Sequence, residues 1–251
     1  MSAIASYQAI LQRLNVMVSA APSPIAPLPS WTLPTPSATP RPYSPLGQDH
    51  FVRTSRLPSA TTAPVSRRLS ADPNAYFVTQ FYHPRWNPQG PDGSTNCGPA
   101  SLTMALKAFG LAPAGVIDPR NIEGFIDKTR RSMMGTENDL QLSSDDDVLR
   151  GALASGAQAQ KVHGLAGVER AVSEGKLVVL AGNPAAYGYR FGEDQLKAFD
   201  GGHFITVTHM VGDRVWINDP LSQIGSLEIT RAELNRYMAH QNWNVGVAVW
   251  A

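Results

Sequence analysis

The chain has 251 residues, a formal net charge of +1 and a single cysteine. That length holds one good-sized domain, or one domain with a tail, and the near-neutral charge gives no reason to expect nucleic acid or an anionic membrane as partner. One cysteine excludes an internal disulfide, and no run of about 18 apolar residues provides a membrane span.

Residues 5 to 18 carry Ile10, Leu11, Leu14 and Met17 at helical spacing and predict a short amphipathic helix, readable as a frayed turn or as a docking peptide for a delivery partner. A Sec signal is not evident. There is no basic opening segment, and Gln8, Gln12, Arg13 and Asn15 interrupt the apolar run. Cytoplasm and secretion by another route both stay open. From Ala21 to Arg68, prolines crowd among Ser, Thr and Ala. Proline removes backbone donors and blocks helix and central strand, so residues 1–70 are expected to be a disordered leader or linker. The folded domain is expected over 71–251.

That domain opens with Tyr76-Phe77-Val78-Thr79-Gln80-Phe81-Tyr82, aromatic and β-branched, which predicts a strand. An irregular Pro/Gly loop from His83 to Gly93 follows. Cys97 then stands at the mouth of a predicted helix, Ala100 to Phe109, stopped by Gly110. Unpaired N–H groups and the positive end of the dipole favour thiolate there. A second helical piece spans 117–134, with Ile122, Phe125 and Ile126 inward. Ser143-Ser144-Asp145-Asp146-Asp147 opens a third helix running to Gly156. The glycine and alternation of a calcium loop are missing, so the acids are read as first-turn caps. A short helix over 168–173 comes next. Leu177 to Ala181 reads as a buried strand, Tyr187 to Asp200 as a loop, and His203 to Met210 as a strand. Gly212-Asp213 turns the chain into a hairpin partner over 214–218. Thr230 and Glu233 form a capping box for a helix to about His240, and 244–250 closes the sheet. Helices followed by an antiparallel sheet make the fold class α+β.

A cysteine nucleophile needs a base, and the base needs an orienting group. Of the six histidines, His203 stands out: it follows Gly201-Gly202 and begins a strand. The hairpin returns Asp219 to the same rim, where it can hold the imidazole. His203 and His209, six apart on a strand, share a face but lie roughly 20 Å apart at about 3.3 Å per residue, too far to bind one ion. With one cysteine and scattered histidines, no metal site is expected, and no cofactor is called for.

Asn96-Cys97-Gly98-Pro99-Ala100-Ser101-Leu102, Gly201-Gly202-His203-Phe204-Ile205-Thr206-Val207 and Ile217-Asn218-Asp219-Pro220 resemble the bacteriocin-processing, double-glycine leader cysteine peptidases of the papain-like group. The resemblance covers about Phe77 to Leu221. It implies a papain-like fold, with N-terminal helices packed on the antiparallel sheet. It makes Cys97 the nucleophile, His203 the general base and then acid, and Asp219 the orienter. It also implies a glutamine after a strand as oxyanion donor, for which Gln80 fits the context and Gln89 is nearer in sequence. The implied activity is hydrolysis of a peptide or protein substrate through a thioester. Gly201, Gly202 and the Tyr187–Asp200 loop would line the cleft, and Trp86, beside Pro84 and Pro88 on the loop before Cys97, would either line it too or simply pack. The chain stops at Ala251 without a phosphate loop, which favours a stand-alone hydrolase. The same triad would serve a secreted effector or toxin acting on a target-cell protein or peptidoglycan, or deamidation or transpeptidation. A non-catalytic binding module is the reading that three intact triad residues argue against.

Overall fold

A computed structural model describes residues 69–88, 95–137, 141–191, 201–239 and 244–251. The expected helix near 5–18, the proline-rich stretch, Gln89, residues 192–200 of the loop before Gly201, His240 and Trp243 lie outside them.

Three helices come first. Helix α1 (Cys97–Phe109) starts with Pro99 in its first turn, where a missing N–H costs nothing, and ends at Gly110 in the left-handed conformation. It is buried almost all round, with Leu102, Met104 and Leu106 fully enclosed. Each such side chain contributes about 1.5–3 kcal/mol relative to exposure. Helix α2 (Ile122–Met134) begins later than expected, because the Asn121 side chain caps it by accepting from the Gly124 N–H at 2.8 Å. Ile122, Phe125 and Ile126 point inward as expected. Helix α3 (Asp145–Ala154) opens on the anticipated acids. Ser144 and Asp147 form a reciprocal capping box, and Asp145 and Asp146 pair with Lys161. Gly151 lets α3 close on α1 and α2, since a Cβ there would overlap Met133 and Leu102.

Six antiparallel strands follow: β1 (Gln158–His163), β2 (Leu177–Gly182), β3 (His203–Val211), β4 (Arg214–Asn218), β5 (Leu227–Thr230) and β6 (Val245–Trp250). Their order across the sheet is β1-β6-β2-β3-β4-β5. Helix α4 (Gly164–Ser173) joins β1 to β2, and α5 (Arg231–Met238) follows β5 on the Thr230–Glu233 capping box. The architecture is α+β, with α1–α3 packed on one face of the antiparallel sheet. The apolar run of β2 is explained by burial on both faces. Leu177 and Val179 join the core under α1–α3, whereas Val178 and Leu180 join a second core with Val168 and Ala171 of α4 and Leu234 and Tyr237 of α5.

Three expectations are corrected. Tyr76–Tyr82 is not a strand: Pro73–Tyr76 forms a 3-10 turn, and the rest lies outside the sheet and bends at Gln80 and Phe81. Its contact there is the Gln80 N–H to the Pro220 carbonyl at 3.0 Å, and Pro220 has no N–H to return, so a ladder cannot propagate. Second, no strand was expected between Gly156 and Val168, where Gln158–His163 forms β1. It is an edge strand, paired only with β6 and alternately exposed, so it lacks an apolar signature. Third, the β3–β4 register slips by one residue between Val207 and His209. This bulge puts Met210 with Ile205 and Val207 in the second core, so His209 does not share a face with His203.

Candidate active site

Cys97 is the first residue of α1 and is half-buried. Its approach is held from α2. Arg130, fully buried, donates from Nε to Asn96 Oδ1 at 2.7 Å, from Nη2 to the same oxygen and to Thr95 Oγ1 at 3.1 Å, and from Nη1 to the Gln141 carbonyl at 2.9 Å. Asn96 occupies the N-cap position without a side-chain cap bond. The reason is local: Pro99 at the third helical position has no N–H, and the Gly98 N–H at the second bonds Cys97 instead. Arg130 thus ties down both residues that precede the thiol.

His203 begins β3 and Asp219 follows β4, and the hairpin brings the two to one rim. His203 Nε2 donates to Asp219 Oδ1 at 2.6 Å, with both side chains enclosed. The His203 side chain also shares a hydrogen bond with Cys97. Burial pushes the thiol up. The His203 hydrogen bond and charge, with the N–H groups of Phe204 and Gly98, outweigh it and hold Cys97 below the ordinary thiol range. Burial pulls His203 down, but the Asp219 charge and hydrogen bond, then Cys97, raise it to about 10. Both shifts favour the thiolate–imidazolium pair, and the two groups titrate as a unit.

Two tyrosines brace this pair, and no sequence signal marked either. Tyr187, in the loop after β2, donates to Asp219 Oδ2 at 2.7 Å. Burial, then the Asp219 charge, hold its pKa far above the usual phenol value, so it remains a donor. Tyr237 of α5 donates to the His203 carbonyl, with the Leu180 carbonyl at 3.3 Å. Arg130 did leave a trace in the sequence: it falls four residues after Ile126 on the inward stripe of α2.

Gln80 is buried against the residue after Asp219, since its N–H and the Thr79 hydroxyl both donate to the Pro220 carbonyl, at 3.0 and 2.7 Å. Gly201 is half-buried and Gly202 exposed, directly before His203. Trp86 is corrected. It is 8 % exposed, lies edge-on to Phe77 at 5.0 Å between centroids, and donates from Nε1 to the Gln223 carbonyl at 3.2 Å. It belongs to the core under α1, because the His83–Asn87 bridge closes its loop tightly and turns the indole inward. Among the described residues no cluster of His, Cys, Asp or Glu is suited to a metal, and no helix is long and apolar enough to cross a membrane.

The sequence model of the Peptidase_C39 like family matches residues 74–246, a span holding Gln80, Cys97, His203 and Asp219. The chain belongs to this family. The family match, on an α+β architecture of helices over an antiparallel sheet, supports a cysteine peptidase. Among solved structures, it is similar to a C39-like peptidase from Bacillus anthracis at 13 % identity and TM-score 0.47, over 70 % of this chain and 94 % of that one. It is similar to the peptidase domain of Streptococcus ComA, a bi-functional ABC transporter, at 14 % identity and TM-score 0.41, over 65 % and 96 %. It also resembles a double glycine motif protease from an AMS/PCAT transporter, solved with the leader peptide, at 17 % identity and TM-score 0.39, over 63 % and 86 %. No curated protein matches the chain.

Proposed function

We propose that this protein is a thiol-dependent hydrolase that cleaves an amide bond of a peptide or protein through a Cys97–His203–Asp219 triad. The observation that carries this reading is the His203 ring, bonded to Asp219 Oδ1 at 2.6 Å through Nε2 while also bonded to a cysteine at a helix mouth. The thiolate of Cys97 attacks the carbonyl carbon. The oxyanion is held by the Gln80 side-chain amide and the Cys97 backbone N–H, one of the first-turn donors without an intrahelical acceptor. The His203 imidazolium gives its proton to the leaving amine, which departs and leaves a thioester on Cys97. Neutral His203 then takes a proton from water, the hydroxide adds to the thioester, and thiolate and acid are released. Asp219 keeps the ring aligned throughout and stabilises its charged form.

The exposed Gly202 and half-buried Gly201 leave the rim beside His203 low, which suits small residues at the scissile bond. The family match, 74–246, supports 71–251 as the catalytic domain. A peptide library incubated with the protein tests the reading. Cleavage lost in Cys97→Ser and favouring small residues at the cut supports it, and cleavage surviving that substitution contradicts it.

A further inference from the structure

We infer that Tyr187 is a positioning residue of this active site: its hydroxyl sets the rotation of the Asp219 carboxylate and, through it, the basicity of His203. The inference rests on the triad reading above. The donors around Asp219 divide unequally between its oxygens. Oδ1 accepts from His203 Nε2 at 2.6 Å and from the Leu221 N–H at 2.8 Å. Oδ2 accepts from the Tyr187 hydroxyl at 2.7 Å. A carboxylate held at one oxygen can still swing about its Cβ–Cγ bond, and a donor on the second oxygen fixes the plane. Fixing the plane keeps Oδ1 on the imidazole.

The placement of Tyr187 is itself over-determined. Its ring packs against Tyr237 and Phe191, at 5.6 and 5.8 Å between centroids. Asn183 caps the turn before it by accepting from the Ala185 N–H at 2.9 Å. Two and three residues on, Tyr189 and Arg190 both bond Glu233 in the first turn of α5. A segment read from sequence as plain loop is therefore clamped on both sides of the hydroxyl that reaches Asp219. Such bracing suits a group whose placement within a few tenths of an ångström matters.

Tyr187→Phe keeps the ring and removes the donor. The readout is the pH profile of Cys97 alkylation by iodoacetamide, with peptide cleavage beside it. The inference expects the alkylation midpoint to move up toward an ordinary thiol, the high-pH limb of cleavage to move down from about 10, and kcat to fall about tenfold or more at little changed KM. Unchanged profiles would make Tyr187 a packing residue, and a high-pH limb that moves up would mean that the hydroxyl only withdraws charge. Either result overturns positioning. Val249→Ala supplies a second variant, loosening the core on the other face of the sheet while the aromatic cluster and the hydroxyl stay in place. It should lower the melting temperature and leave the alkylation profile alone, and a shifted profile there would assign the effect to packing. The wild-type profile separates the two layers of the account. If wild-type Cys97 alkylates as an ordinary thiol, the triad reading fails. If wild type is acidified and Tyr187→Phe matches it, only the inference fails.

Discussion

Replacing Arg130 by Met tests how the mouth of α1 is held. Met has nearly the stem of Arg, so the core around α2 stays filled while the guanidinium leaves. The bonds to Asn96, Thr95 and the Gln141 carbonyl go with it. Hydrogen bonds to a charged group are worth about 1.5–3 kcal/mol each, and the desolvation of a buried guanidinium, recovered in the variant, offsets part of their sum. A net loss of about 3 kcal/mol follows. At about 2–4 °C per kcal/mol for a domain of this size, the melting temperature should fall by about 6–12 °C. Asn96 has little to turn back to, since Pro99 lacks an N–H and the Gly98 N–H already bonds Cys97, so the position of Cys97 loosens as well. Thermal unfolding followed by circular dichroism, with iodoacetamide alkylation at pH 7, reads both effects. Alkylation should slow about tenfold, and Arg130→Lys, one point donor in place of a fork, should recover only part of it. A variant that loses stability yet alkylates at the wild-type rate would refute the claim that Arg130 positions the nucleophile.

Three further outcomes follow from the same contacts. Gln80→Ala should lower kcat about 10²–10³-fold with little change in KM, measured on the best library peptide. Gly182→Ala should destabilise the fold by about 1–3 kcal/mol in denaturant unfolding and reduce cleavage, because a Cβ there overlaps the Tyr237 ring that supports His203. Glu233 is pushed up by burial, but Arg190, Tyr189 and Thr230 bond its charged form and hold it at about 2. A carboxyl lowered by folding stabilises above its unfolded value near 4.5 and loses that contribution as pH falls toward 2. Glu233→Gln should therefore be less stable than wild type at pH 7, and the gap should close between pH 4.5 and 2.

Which parts of this architecture show in the sequence depends on where the determining contacts lie. The α1 mouth, the β3–β4 hairpin and both capping boxes are specified by residues within a few positions of one another, and Ser144, Thr230, Gly110 and Gly212 each announce a local geometry. The expectation that the hairpin returns Asp219 to His203 needed only the turn at Gly212-Asp213 and strand alternation over the stretch before the bulge. What stayed hidden depends on distant partners. Tyr76–Tyr82 has strand composition, yet the chain it meets is Pro220, which cannot continue a ladder. Gln158–His163 lacks strand composition and pairs because β6 offers it an edge. Trp86, in a loop rich in proline, reads from sequence as a cleft candidate, whereas the His83–Asn87 bridge turns it inward. Periodicity puts Arg130 on the inward stripe of α2, but not its acceptor 34 positions away, nor the acceptor of Tyr187 32 positions away.

The central claim is that Cys97 and His203 share a proton as a thiolate–imidazolium pair. The pH dependence of Cys97 alkylation, in wild type and in His203→Ala, tests it most directly. Cys97 is the only thiol in the chain, so the label reports one site. The account predicts a wild-type midpoint below that of an ordinary thiol, about 8.5, and a rise to or above that value in His203→Ala, where burial acts without the imidazolium. Coincident curves for the two proteins, both at the ordinary value, would contradict it.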